Sequence, residues 1–356
     1  MNTSILKFSE QIRQIKCHLE VFEKYEELIK IYDNDDVNFI KANRTQEKLF
    51  FYRSNIISLY GAFERFIEDV IREYISSVQD YIISFNEWGE KIANGYFGLW
   101  KELHKKLAYP KFASINETKM VDNLYKVICN KESSLIPECF LQNGGNYKPK
   151  IINEVFSNIG IQNINQQLLK HEPLRSYFEQ QNYDFENIET DQKLKLCYQD
   201  LDDLVDRRNE IAHGLISDNI LSIDLFRKIL DFTEIYAKSV IFFLTNKVYE
   251  KKWIQKKDKA IKIDHVYREG KVAILNIDNI KNNKTTPISV GRRILVKYKE
   301  EGNSSFFMET NIEEIRIDIK DGGENIKLDE YLYEDNLEAI SIKLSNKVKA
   351  KQMFIL

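Results

Sequence analysis

The sequence of 356 residues is 43% hydrophobic and 12% aromatic, the balance of a folded chain and not of a disordered one. A formal net charge of −3 excludes a globally basic nucleic-acid binder, so any such contact must come from local patches. The length allows two ordinary domains with real cores.

Residues 4–32 are expected to form a first helix, because Ile5, Phe8, Ile12, Ile15, Leu19, Phe22 and Tyr25 recur at steps of three and four. Asp33 to Val37 reads as an acidic break. A long second helix is expected over 46–78, with Ile56, Leu59, Tyr60, Phe63, Ile67, Val70, Ile71 and Tyr74 on its buried side and Glu64 on the flank. Gly61 and Ala62 predict a close approach by a neighbouring helix. Glu64, Glu68 and Glu73 interleave with Arg65 and Arg72, which reads as a solvated face rather than a metal-binding one. Residues 80–140 read as further helices carrying Trp88, Tyr96, Phe97 and Trp100, broken at Pro110 and Pro137. NGGNYKPK at 143–150 is a loop, and IINEVFSNIGI after it a short helix ending at Gly160. Pro173 and a polar run then lead to another helix, with Thr190 or Asp191 as its N-cap.

That helix holds the most unusual stretch, LDDLVDRRNEIAHGL at 201–215. Leu201, Leu204, Val205, Ile211, Ala212 and Leu215 fall on one arc of a helical wheel, with Arg208 in its middle. An uncompensated buried guanidinium costs roughly several kcal/mol, so Arg208 needs a partner. Glu64 on the second helix is the candidate, and that pairing alone would be a purely structural role. Asp206, Asn209 and His213 form a second stripe beside the arc. Gly214 suits a helix end, SDNILS a turn, and Ile223 to Tyr249 a last long helix with Leu225, Ile229, Phe232, Ile235, Tyr236, Val240 and Phe243 on its apolar face.

The texture changes near residue 247. KVYEKKWIQKKDKAIK is either a solvated helix tail and linker or a backbone-phosphate contact, with Lys251, Lys252, Lys256 and Lys257 for charge and Trp253 for base stacking. Beyond it the apolar period drops from about 3.6 to about 2, as strands require. IKIDHVYR, KVAILNID, RRILVKYK, SSFFMET, EEIRIDI and EAISIKL alternate, separated by NNK, EEGN and DGGEN turns. GNSSF at 302–306 reads as a hairpin turn and not as a serine motif. The fold class is α+β, an all-α N-terminal bundle followed by a β-rich domain, sandwich or small barrel.

Cys17, Cys129, Cys139 and Cys197 lack CxxC pairing, which argues against zinc and against a disulfide framework. His18, His104, His171 and His265 lie apart without metal-ligand spacing, and no GxxxxGK[ST] loop is present. MNTSILKFSEQIRQIK has no apolar h-region, and no apolar run approaches about 18 residues, so a cytoplasmic protein is expected.

Arg208-Asn209-Glu210-Ile211-Ala212-His213, in its RRNEIAHG context, resembles the signature of the HEPN superfamily, helical domains that include many metal-independent RNA endonucleases. SLYGAFERFIEDVI in the second helix and the glycine-asparagine turn before the short helix are also similar to that family. The resemblance covers about residues 1–245 and none of the rest. It implies a homodimer through the motif helices, with two copies facing across one composite site and no cofactor. His213 would transfer protons or orient the 2′-hydroxyl, Arg208 would hold the scissile phosphate, and Asn209 would position. Glu64 and Asp206 would support the site, and Arg207 would reach a flanking phosphate. The products would be a 2′,3′-cyclic phosphate and a 5′-hydroxyl end. A toxin or antiviral defence effector is the implied setting, with a protein partner or antitoxin engaged through the β domain. The rival readings are a non-catalytic RNA- or protein-binding module and a conditional nuclease subunit of a larger complex. The expected organisation is 1–246 helical nuclease domain, 247–262 lysine-rich tail and linker, and 263–356 β-rich domain for substrate or partner selection.

Overall fold

A computed structural model describes residues 2–129, 131–141, 146–181, 189–214, 220–256, 260–276, 278, 280, 287–299, 305–319, 326–331, 337–347 and 352–355. The expected loop residues 143–145, most of the polar run before the motif helix, Leu215 and the start of SDNILS lie outside them, as do Lys257 and parts of the NNK, EEGN and DGGEN turns. The chain divides into two compact units, Met1–Thr245 and Asn246–Leu356.

In the first unit, helices α1 (Asn2–Ile31) and α2 (Asp35–Gln79) form an antiparallel hairpin. Ser4 bonds Glu73 at one end, while Glu26 pairs with Lys48 at the other. Phe8, Ile12, Ile15 and Leu19 of α1 are buried with Ile56, Phe63, Phe66 and Ile67 of α2, as the spacing of three and four demands. The acidic break is present but short: residues 32–34 lie between the two helices, and α2 already begins at Asp35. Asn34 caps the helix by accepting from Val37 N at 2.9 Å, and Asp35 and Asp36 sit in the first turn, where the helix dipole favours carboxylates. Gly61 is also corrected: it is exposed, and a Cβ there would meet nothing within 4 Å.

Helices α3 (Glu90–Lys105), α4 (Glu117–Ile128), α5 (Pro149–Asn158), α6 (Ile164–Leu168) and α7 (Leu174–Gln180) follow. Pro149 stands at the first turn of α5, where a missing N–H costs nothing, and Gly160 just beyond it takes a left-handed φ of 85°. The motif helix α8 (Thr190–Ala212) starts from Glu189, with no side-chain cap from Thr190 or Asp191. The last helix, α9 (Ile223–Lys256), runs on past Tyr249, so the lysine-rich stretch is helical as far as Lys256.

Asn165 ties four of these elements together. It is 1% exposed, and its Oδ1 accepts from the Tyr236 hydroxyl of α9 at 2.8 Å. Its carbonyl accepts from the Tyr198 hydroxyl of α8 at 2.7 Å. Its Nδ2 donates to the Pro149 carbonyl of α5 at 2.8 Å, and its own N–H donates to Asn153 at 3.1 Å. A buried amide is tolerated here because both ends are satisfied.

The second unit is a barrel. Strands β1 (Ile261–Tyr267), β2 (Val272–Leu275), β4 (Arg293–Lys299), β5 (Ser305–Ile319), β6 (Ile326–Leu328), β8 (Leu337–Leu344) and β9 (Gln352–Ile355) form one antiparallel sheet in the order β4-β9-β1-β2-β8-β5-β6. A further β4–β5 pairing closes it into a ring. The short strands β3 (Ile288–Ser289) and β7 (Glu330–Tyr331) pair separately. Strand β5 makes closure possible: residues 305–311 pair with β4 and residues 312–319 with β8. Alternate residues fill the interior, among them Ile263, Ala273, Ile294, Val296, Ile315, Ile317, Ile340 and Ile342. Among the described residues, no helix is long and apolar enough to cross a membrane.

Candidate functional site

Helix α8 is buried where Leu201, Leu204 and Val205 meet the bundle and rises to the surface at its C-terminal end. Ile211 is only half-buried and Ala212 exposed, so the apolar arc does not enclose Arg208 as its spacing predicted. Arg208 is half-buried, with its guanidinium carbon 4.8 Å from the centroid of the Tyr60 ring on α2. A flat cation on an aromatic face is held electrostatically without losing its charge.

The Tyr60 ring is fixed in turn. Its hydroxyl accepts the Tyr147 N–H at 3.1 Å, and burial pushes that hydroxyl up to about 12, so it stays neutral at physiological pH. The Tyr147 side chain, fully buried, donates its own hydroxyl to Glu68 at 3.4 Å. Glu68 is also paired with Arg72 at 3.5 Å and with Lys111.

A second support runs through two amides. Arg208 Nη1 donates to Asn209 Oδ1 at 3.0 Å, and Asn209 Nδ2 donates to Asn146 Oδ1 at 3.2 Å. The Asn146 acceptor thus orients the Asn209 amide so that its oxygen faces the guanidinium. Asp206 pairs with Lys148 at 2.6 Å. Residues 146–148 therefore run as a strap along the motif helix.

Glu64, the expected partner of Arg208, is half-buried on α2 and acts on the guanidinium through space. Burial raises its carboxyl above the usual range and the neighbouring Glu68 charge adds to this, against the pull of Lys111 and Arg208. A carboxyl whose folded pKa lies above its unfolded one contributes most below the unfolded value and loses that contribution as pH rises through the folded one. Glu64→Gln should therefore melt progressively higher relative to wild type as pH is raised from about 4 to about 7. A difference that stays flat across that range would remove the cost assigned to this carboxylate.

His213 ends the helix. Its N–H donates to the Asn209 carbonyl at 3.0 Å, and Gly214 follows in a left-handed conformation at φ 70°. The imidazole is exposed, and none of the described residues bonds it. Asp206, Arg208 and Asn209 are thus gathered with the strap, while the His213 imidazole stands at the rim and, among the described residues, bonds none of them.

Arg207 departs from expectation. Its side chain is 12% exposed and turns inward, donating to Asp203 at 2.6 Å and to the Tyr52 hydroxyl of α2 at 2.8 Å. It fastens α8 to α2 instead of reaching a flanking phosphate. Trp253 is also corrected as a stacking platform. It is 5% exposed, packed with Leu295 and Phe307, and Lys297 sits 5.5 Å over its ring. Lys251 and Lys252 are half-buried in the second unit, and the Lys256 side chain and Lys257 lie outside the described residues.

Tyr60, Asn146, Tyr147 and Lys148 were not singled out from sequence as site residues. Local spacing carries no sign of a contact between α2, a loop and α8. The signal that could have found Tyr60 was the exposed end of the arc: a surface arginine on an amphipathic helix seeks an aromatic face.

Chemically, the end of α8 offers an always-charged fork, of whose five donors one is bonded among the described residues, and an exposed imidazole. The first suits an oxyanion, the second proton transfer. Among the described residues, no group of three or more His, Cys, Asp or Glu is placed to hold a metal ion. A family model described as RiboL-PSP-HEPN matches residues 20–246, a span that includes both α2 and the motif, and the C-terminal region is unassigned. Neither the curated proteins nor the solved structures give a match.

Proposed function

Because the chain belongs to the RiboL-PSP-HEPN family, whose members are typically ribonucleases, we propose that it is a metal-independent endoribonuclease using the substrate's own 2′-hydroxyl as nucleophile. The observation that supports this most is the Arg208 fork, braced by Tyr60 and Asn209 at the same helix end as the exposed His213 imidazole, which bonds none of the described residues. In this reading a base removes the 2′-hydroxyl proton, the 2′-oxygen attacks phosphorus, and the P–O5′ bond breaks. The leaving 5′-oxygen takes a proton from an acid, giving a 2′,3′-cyclic phosphate and a 5′-hydroxyl. Charge gathering on the phosphorane oxygens is met by Arg208.

One chain supplies one imidazole, and the reaction needs both a base and an acid. A symmetric dimer through the motif helices supplies two His213 and two Arg208 around one phosphate. Asn209 positions Arg208, while Glu64 and Asp206 support the site from α2 and through Lys148. A toxin or antiviral defence effector, restrained by a protein partner on the β unit, is the setting this chemistry fits.

The test is cleavage of total RNA in excess EDTA, with mapping of the ends and light scattering for size. Cyclic-phosphate ends made by a dimer are expected. Ends carrying a 5′-phosphate would overturn the mechanism. A folded dimer that binds RNA without cutting it would favour the non-catalytic binding module.

A further inference from the structure

The outer face of the barrel carries chemistry that the motif site does not use. Strands β1, β2, β8 and β5 lie side by side there, and residues between the core positions point outward. Register puts Val272 beside Lys343 and Lys343 beside Glu314, with Ser341 beside Arg316 in the next row. These side chains and Arg268 line a cavity of about 160 Å³.

Three of the six lining residues, Arg268, Arg316 and Lys343, are cations, against the single carboxylate of Glu314. Arg316 is paired with Glu314, and Lys343 with Glu313 at 3.0 Å. Arg268 is exposed and has no ion-pair partner among the described residues. Small-molecule pockets usually run from about 300 to 1,000 Å³, so this one fits a group of only a few atoms. Three cations and the Ser341 hydroxyl against one carboxylate favour an oxyanion.

Two further observations point the same way. Arg268 and Glu269 both sit in the left-handed region, at φ 51° and 56°, where glycine is the ordinary occupant. Non-glycine residues held in this way gather at ligand-binding sites, where the surrounding structure fixes them. Immediately before Arg268, Tyr267 is 51% exposed, with the exposed His265 ring 6.0 Å from it. Exposed aromatics beside a phosphate-sized basic cavity are the pairing used to hold single strands, with bases stacked and backbone neutralised.

We infer that this face is a second RNA contact, in which Arg268, Arg316 and Lys343 hold one or two backbone phosphates of a single strand and Tyr267 stacks a base. The choice of RNA over another phosphate-bearing ligand rests on the ribonuclease reading. Contact at this face gives the β unit a role in substrate retention, largely independent of base sequence.

The test uses the full chain and a fluorescent single-stranded 2′-O-methyl oligouridine of about 16 nucleotides, the upper site size of one small barrel. This probe lacks the 2′-hydroxyl and is not cut by the proposed route. Arg268→Gln/Lys343→Gln should bind it about tenfold more weakly than wild type. The slope of log affinity against log salt should fall by about 1.4, or about 0.7 per lost phosphate contact. Lys343→Gln alone, on a regular strand, serves if the double variant does not fold, with half the change in slope. Unchanged affinity and slope in a folded variant would overturn the proposal, as would failure of wild type to bind the probe. Inorganic phosphate binding at Arg268, with oligonucleotide affinity unaffected by the substitutions, would mark an ion site and also overturn it. Loss of cleavage of unmodified RNA, with probe binding intact, would instead count against the nuclease reading alone.

Discussion

Arg208→Ala is expected to lower the rate of RNA cleavage by about a hundredfold to a thousandfold, the usual cost of removing one preorganised donor from a developing oxyanion. His213→Ala should cost about a hundredfold to ten-thousandfold, the range for a proton-transfer group. The loss should appear in kcat for both, and the double variant should be little worse than either single one, since they act as a unit. Arg208→Lys separates charge from geometry. It keeps the cation but loses the planar fork that lies on Tyr60 and donates to Asn209, so most of the defect should remain. Folding should be nearly unaffected, because Arg208 is only half-buried and His213 is exposed. Full activity in a folded His213→Ala dimer would place the proton transfer elsewhere.

Asn165→Leu should be among the most destabilising single substitutions in the helical unit. It leaves the Tyr236 hydroxyl without its acceptor, in a region where Tyr236 is fully buried, and the Pro149 carbonyl with its helical donor alone. An orphaned buried hydroxyl costs about 1–3 kcal/mol and the lost bond to Pro149 about 1 kcal/mol, so together they should cost about 3 kcal/mol. In a unit of this size that lowers the melting temperature by roughly 6–12 °C. Tyr236→Phe removes the other end of one bond and spares the rest, so it should cost less. The double variant tests the coupling directly: its loss should fall short of the sum of the two. Simple additivity would show that Asn165 and Tyr236 do not stabilise each other as their 2.8 Å bond indicates.

The helices and strands were legible wherever one face meets the core. Phe63, Ile67, Val70 and Ile71 on α2 recur at helical spacing because each is fully buried, and Ile340 and Ile342 on β8 alternate for the same reason. The acidic segment from Asp33 to Val37 divides in two, with residues 33–34 outside the helices and the rest inside α2. Asp35 and Asp36 begin a helix because Asn34 caps it and the dipole favours them, and no hydrophobic period reports that. The site was legible only along one helix. The order Arg208, Asn209, His213 carries the resemblance, but the ring beneath Arg208 and the acceptor beyond Asn209 come from other segments. Trp253 shows the converse. Among lysines it looked like a platform for bases, yet Leu295 and Phe307, more than forty positions on, cover it.

The closed ring of the barrel constrains when it can be completed. Strand β1 is among the first segments of that unit, yet Ile261 pairs with Met353 on β9. Pairings so distant in sequence pay their loop-closure entropy before any contact rewards them, and they form slowly. During synthesis the ring cannot be sealed until residues 352–355 have left the ribosome, whereas Thr245, the last residue of the helical unit, emerges earlier. The helical unit therefore has a head start on the ribosome, and interruption of translation between the two points would release helices without a finished barrel.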